Sequence, residues 1–198
     1  MPPETVKPPH SFRRSVWEWA KVIVIALVIA LPIRFFIAEP FVVNGASMDP
    51  TFSTGEFLIV DRLTYDFEKP QRGQVVVFRY PGDPSIYYIK RIIGLPGETV
   101  CLNDGQVSIS TSTPPACPGP LSLDQPFVAA DHASHDTGTY TLTASQYFVM
   151  GDNRAQSADS RLWGPLPANL IIGQPLLRLT PLSAISFWPG TYHETLSK

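Results

Sequence analysis

Histidine, cysteine and lysine are all scarce in this chain of 198 residues, and each scarcity excludes a chemistry. The four histidines are His10, His132, His135 and His193, and no Gly-x-Ser-x-Gly elbow occurs. A Ser-His-Asp triad therefore has neither a well-placed base nor its usual turn. The two cysteines, Cys101 and Cys117, lack the neighbouring histidine of a cysteine nucleophile and any zinc-type spacing. Asp131-His132 with His135-Asp136 is the nearest approach to a metal-ligand pattern, and no further ligand supports it. No metal and no other cofactor is expected. A net charge of −2, with no basic aromatic patch and no phosphate-cradling glycine loop, argues against nucleic acid as a partner.

Long uncharged apolar runs are also missing. The longest centre, Val22–Ile33, falls short of the ~20 residues that span hydrocarbon. Its flanks extend it: Lys21 and Arg34 can snorkel, and Trp17, Trp19, Phe35 and Phe36 are of the interfacial aromatic type. Trp17–Ile37 as a helix would measure about 31 Å at roughly 1.5 Å per residue. A buried core helix and a cleavable signal peptide compete with this reading. The second is weakened by Phe36 and Asn44, which occupy the third position back from the candidate cleavage points after Ala38 and Ala46. An uncleaved anchor over 17–38 is the better reading, with a kink expected at Pro32. Lys7, Arg13, Arg14, Lys21 and Arg34 face only Glu4 and Glu18, so residues 1–38 carry +3 and the rest −5. The positive-inside rule then puts a tail of residues 1–16 in the cytoplasm and residues 39–198 across the cell membrane, with the lipid bilayer as a partner.

Proline is abundant at 21 residues, against a usual share of about 5%. Prolines between short β-branched runs predict an all-β, antiparallel domain. Candidate strands are Glu56–Asp61, Gln74–Arg79, Ser85–Ile93, Thr99–Leu102, Gln106–Ile109, Tyr140–Thr143 and Gln146–Met150, with a further one starting at Phe41. Asn103-Asp104-Gly105 reads as a hairpin turn, and Gly82-Asp83-Pro84 as a turn or loop. The polar stretch from about 99 to 145 reads as a small inserted β subdomain. Cys101 and Cys117 bracket a Pro/Ser/Thr-rich loop within it, which a disulfide would restrain in an oxidising compartment; two free thiols are the alternative.

Three segments carry candidate chemistry. In Tyr87-Tyr88-Ile89-Lys90-Arg91-Ile92-Ile93 the two-residue period puts Tyr88, Lys90 and Ile92 on one face and Ile89, Arg91 and Ile93 on the other. A lysine in that setting is desolvated, which favours the neutral amine, a general base. Lys69 lies in a charged turn and Lys198 at the end of the chain, so Lys90 alone beyond the anchor has such a context. The second segment, Asn44-Gly45-Ala46-Ser47-Met48-Asp49-Pro50-Thr51, offers Ser47, a weak nucleophile without an adjacent base. A serine-lysine pair is one variant of the triad logic. The third is Gly151–Arg161, a polar loop in which Asp152, Arg154, Asp159 and Arg161 can pair, or an exposed turn with surface ion pairs.

Together Ser47–Thr51, Tyr88–Arg91 with Gly94–Gly97, and Gly151–Arg154 through Ser157–Arg161 resemble the bacterial type I signal peptidases, three blocks in order behind an anchor. The resemblance implies an endopeptidase that removes signal peptides from secreted preproteins after an Ala-x-Ala type site. It implies Ser47 as nucleophile, Lys90 as general base and Ser157 as the hydroxyl that orients the amine. The Ser47 N–H would supply the oxyanion hole, without the side-chain donor that a serine at Gly45 would add. Arg91, Asp152, Asp159 and Arg161 match structural positions around the site. Gln156 departs from the family, where Asn is usual. Substrate would dock as an added strand, and Gly45, Met48 and Pro50 would lie near substrate or membrane. Phe41, Met48, Phe52, Trp163 and Trp188 would form an apolar surface on lipid, or else core. Two other readings remain: a serine-lysine peptidase that turns the same pair on one specialised substrate of pilin or conjugation type, and a catalytically silent anchored module. The silent module predicts loss of Ser47, Lys90 or the Ser157 loop, and all are present.

Overall fold

The computed structural model describes residues 12–32, 38–112, 114–192 and 196–197. The chain divides into two units, 1–37 and 38–198. In the first, helix α1 runs over Phe12–Pro32. It begins inside the stretch assigned to the tail, because Phe12-Arg13-Arg14-Ser15-Val16 contains no helix breaker. Pro32 is its last residue, so the expected kink is an end. Most of the anchor reading's remainder, 33–37, lies outside the described residues, as do residues 1–11 of the tail. Among the described residues, no helix is long and apolar enough to cross a membrane. Trp17, Trp19 and the consecutive Val22, Ile23, Val24 and Ile25 are nonetheless exposed.

The second unit is built of antiparallel strands: β1 Ala38–Val42, β2 Phe57–Asp61, β3 Val75–Tyr80, β4 Asp83–Gly94, β5 Thr99–Asn103, β6 Gln106–Ser110, β7 Leu121–Leu123, β8 Gly138–Thr141, β9 Gln146–Met150, β10 Leu166–Pro167, β11 Ile171–Arg178, β12 Ser186–Phe187 and β13 Leu196–Ser197. Two one-turn helices, α2 Thr64–Phe67 and α3 Ser160–Trp163, punctuate them. An eight-stranded sheet has the order β1-β2-β11-β3-β4-β9-β10, with β12 on β11; a five-stranded sheet runs β13-β7-β6-β5-β8. The second sheet gathers the strands between residues 99 and 141, and β13 joins it from the far end of the chain by pairing with β7.

Prolines explain where the strand boundaries differ from expectation. Pro40 does not break the chain but sits within β1, an edge strand, where a missing N–H is tolerated. Asp83 and Pro84 open β4 rather than forming a loop, and Asp83 accepts the Ser85 N–H at 3.0 Å. Their end of β4 is exposed, beyond the reach of β9, whose ladder starts at Arg91–Met150. The unexpected central strand β11 contains Gly173 and Pro175, with register shifts against both neighbours.

Three apolar clusters fix these elements. One joins the sheets through Ile93, Val100, Ile109 and Phe148. A second packs Val76, Phe78, Ile92 and Val149, with Tyr88 beside them. The third gathers Val43, Met48, Phe52, Leu58 and Val75, with Ile89 beside it. Met48 and Phe52 are fully buried there, so both take the core alternative to a lipid-facing surface, and Met48 does not line the cleft. They act as pegs that seat the turn carrying Ser47, since burial of each such side chain stabilises by about 1.5–3 kcal/mol. Phe41 and Trp163 are half-buried, and Trp188 is exposed.

Candidate active site

The turn between β1 and β2 presents Ser47 to β4. Gly45 enters it with φ +102°, a conformation that side chains resist, and its N–H donates to Thr54 Oγ1 at 3.1 Å. Pro50 is exposed on the same turn. Lys90 Nζ lies 2.6 Å from Ser47 Oγ. It also donates to the Ile89 carbonyl at 3.0 Å, at a point on β4 where the β9 ladder has ended. Lys90 is 3% exposed. Burial lowers its pKa from 10.5 to about 8, against the opposing fields of Asp159 and Asp152. The Tyr88 ring lies 5.3 Å from the amine. A cleft of about 280 Å³ opens over this pair, walled by Phe41, Val43, Tyr87 and Ile89.

Beneath the pair is a buried ionic frame. Arg91 Nε and Nη2 donate to Asp152 Oδ1 and Oδ2 at 2.8 and 2.6 Å. Its Nη1 donates to the carbonyls of Gly73 and Gly190, and its guanidinium stacks 4.2 Å from the Phe127 ring. Asp152 also accepts the Thr51 hydroxyl at 2.5 Å, tying the frame to the turn of Ser47. Asp159 accepts from Arg161 Nε at 2.8 Å and from the Gly151 N–H at 3.0 Å. Each charge is paired, as buried ions require.

Ser157 stands apart from this bonding. Its Oγ is buried and makes no hydrogen bond, and Lys90 spends its bonds on Ser47 and Ile89. Gly151 explains how close it comes: a Cβ there would lie 2.3 Å from both Ser157 Oγ and the Ser47 carbonyl oxygen. Gln156, the residue that departs from the family pattern, is exposed at the rim. Cys101 and Cys117 form a disulfide with a Cα–Cα distance of 5.7 Å. Among the described residues, no group of His, Cys, Asp and Glu could hold a metal ion.

Sequence reasoning missed three contributors. Asn153 donates its N–H to the Ser47 carbonyl at 3.1 Å, Arg178 donates to the Thr51 carbonyl at 2.8 Å, and Gly151 makes room for both sides of the site. Arg178 was hidden because β11 carries no strand signal. Gly151, at the end of an apolar strand and ahead of a polar loop, was a readable sign of close backbone approach.

The family described as signal peptidase, peptidase S26, matches residues 16–180. Signal peptidase I S of Bacillus subtilis is 41% identical over 161 residues, covering 76% of this chain and 81% of that one. Probable signal peptidase I-2 of Synechocystis is 34% identical over 189 residues, covering 92% and 82%. A solved signal peptidase I from Enterococcus faecalis aligns with a TM-score of 0.44 at 30% identity, over 54% of this chain and 97% of that one. With most of its length matched by the family and relatives 34–41% identical over most of both chains, the chain belongs to the signal peptidase (peptidase S26) family.

Proposed function

We propose that this chain is a membrane-anchored endopeptidase that removes N-terminal signal peptides from secreted preproteins, with Ser47 as nucleophile and Lys90 as general base. The observation that carries this reading is the 2.6 Å approach of Lys90 Nζ to Ser47 Oγ, combined with the burial that lowers the amine's pKa to about 8. In its neutral form Lys90 accepts the Ser47 proton as Oγ attacks the carbonyl carbon of the scissile bond. The Ser47 N–H, which donates no other hydrogen bond among the described residues, receives the developing oxyanion. The ammonium then returns the proton to the leaving amine, releasing the mature protein and an ester on Ser47. Water, losing its proton to Lys90, attacks that ester, and the ammonium returns the proton to Ser47 Oγ as the signal peptide leaves as a carboxylic acid.

Ser157 is assigned the lysine-orienting role: its buried, unpartnered hydroxyl is free to take the amine once Ser47 Oγ has left it for the substrate. Arg91, Asp152, Asp159 and Arg161 hold the two loops together. Substrate docks as an added strand over the cleft beside Tyr87 and Ile89, with small Ala-x-Ala side chains against its walls. The consecutive exposed apolar residues of α1, Val22–Ile25, support the anchor reading, and the positive-inside rule gives it an N-terminus in the cytoplasm and the catalytic unit on the far side.

The test is cleavage of a purified preprotein by wild type, Ser47→Ala and Lys90→Met in detergent. Wild type should cut after the last Ala of the site and both variants should fall to background. Activity surviving in either variant would refute the dyad.

A further inference from the structure

The turn that carries Ser47 offers three alternate main-chain carbonyls to three different parts of the fold. Asn153, after β9, donates its N–H to Ser47 O at 3.1 Å. Arg178, at the end of β11, donates Nη2 to Thr51 O at 2.8 Å. Between them, His132 Nδ1 lies 3.2 Å from Asp49 O. A carbonyl only accepts, so Nδ1 carries the hydrogen.

His132 comes from the inserted subdomain, 83 residues along the chain from Asp49. It ends the short 3-10 turn Ala130–His132, and the segment around it is braced. Arg161 donates to Ser134 Oγ at 3.0 Å and pairs with Asp136, whose carbonyl accepts the Gly105 N–H at 3.1 Å. The ring is half-buried, and Arg161, which braces Ser134 and Asp136 just after it, also donates to the Ser157 carbonyl at 3.4 Å.

We infer that His132 is a positioning residue: its Nδ1–H fixes the Asp49 carbonyl and so aims Ser47 Oγ at Lys90, tying the inserted subdomain to the rate of acyl transfer. This rests on the dyad reading above. His132 touches no reacting atom. Its effect is geometric, and small misalignments of a nucleophile are costly.

The experiment uses the full chain in detergent with His132→Ala and His132→Asn, the amide nitrogen of Asn standing near the place of Nδ1. Preprotein cleavage is measured with the thermal midpoint and with amide hydrogen exchange across residues 45–53. His132→Ala should lower kcat about tenfold, the loss of roughly one hydrogen bond, with KM within twofold and the midpoint lowered by no more than about 4 °C. Exchange in the turn should quicken, and Asn should restore both rate and protection. Unchanged exchange, an unchanged kcat, or a loss that Asn leaves in place would each overturn the inference. A wild type that cuts no preprotein would overturn the dyad reading, while the exchange comparison would still decide whether the tether holds the turn.

Discussion

Asp152 grips Arg91 with both carboxylate oxygens while accepting the Thr51 hydroxyl, so one fully buried side chain joins β4 to the turn of Ser47. Removing it leaves Arg91 charged and unpaired in the core. Asp152→Ala should destabilise the fold by about 3–5 kcal/mol. Denaturant titration measures this, and a loss below about 1 kcal/mol would show that the frame is not structural.

The pH dependence of cleavage should follow Lys90. The amine is the active form, and burial lowers its pKa to about 8, so kcat/KM should rise as pH climbs through that value. A pH–rate profile flat between 6 and 10 would remove Lys90 as the titrating base.

The same shift has a thermodynamic side. Unfolded, Lys90 keeps its ordinary 10.5, so between about 8 and 10.5 the unfolded chain holds a proton that the folded chain has released. Stability contributed through this group therefore increases with pH across that window, by about 3 kcal/mol in all. Lys90→Met, which lacks the titration, should exceed wild type in stability most below pH 8. Its advantage should shrink as pH rises to 10.5, and thermal melts at pH 6 and 10 compare the two directly.

Gly151→Ala should abolish cleavage more completely than it unfolds the protein. The added methyl meets the Ser47 carbonyl and Ser157 at 2.3 Å, and backbone cannot step aside as a flexible side chain does. Overpacking of this kind costs about 1–3 kcal/mol. Cleavage falling at least 100-fold, with a melting transition retained, is the expected pair of results.

Reducing Cys101–Cys117 should destabilise the unit by about 3 kcal/mol, given a loop of 16 residues. A Cys101→Ser, Cys117→Ser double variant melts at a lower temperature if so. Equal midpoints would show that the rest of β5 and its partners already hold the loop.

The candidate site was legible where chemistry and periodicity coincide. Lys90 and Arg91 announce themselves as charges in a β-branched strand, and the strand is there. Ser157 was named from resemblance, but its bonding could not be read from a loop whose shape depends on Asp159 and Gly151. Met48 was misread because a lone methionine in a polar turn carries no period; only the fold reveals the pocket of Val43, Phe52 and Leu58 that takes it. Strand β11 was invisible for a related reason. Gly173 and Pro175 erase its alternation, and its place is set by β2 and β3 on either side rather than by its own residues. His132 lay among residues weighed for metal binding, and its contact with Asp49 depends on a chain reversal that no local signal encodes.

Lys90 and Arg91 are sequence neighbours on β4, and strand alternation sends one toward the nucleophile's hydroxyl and the other toward the buried frame. A single residue deleted between Tyr87 and Lys90 would move Arg91 into the place of Lys90, putting an always-charged guanidinium where the proton acceptor belongs; one inserted would send Lys90 into the frame instead. Across descendants of this gene, changes in length should therefore gather at the Pro81-Gly82 bend and in the loop 111–120 ahead of β7. The run from Tyr87 to Gly94 should keep its length even where its letters change.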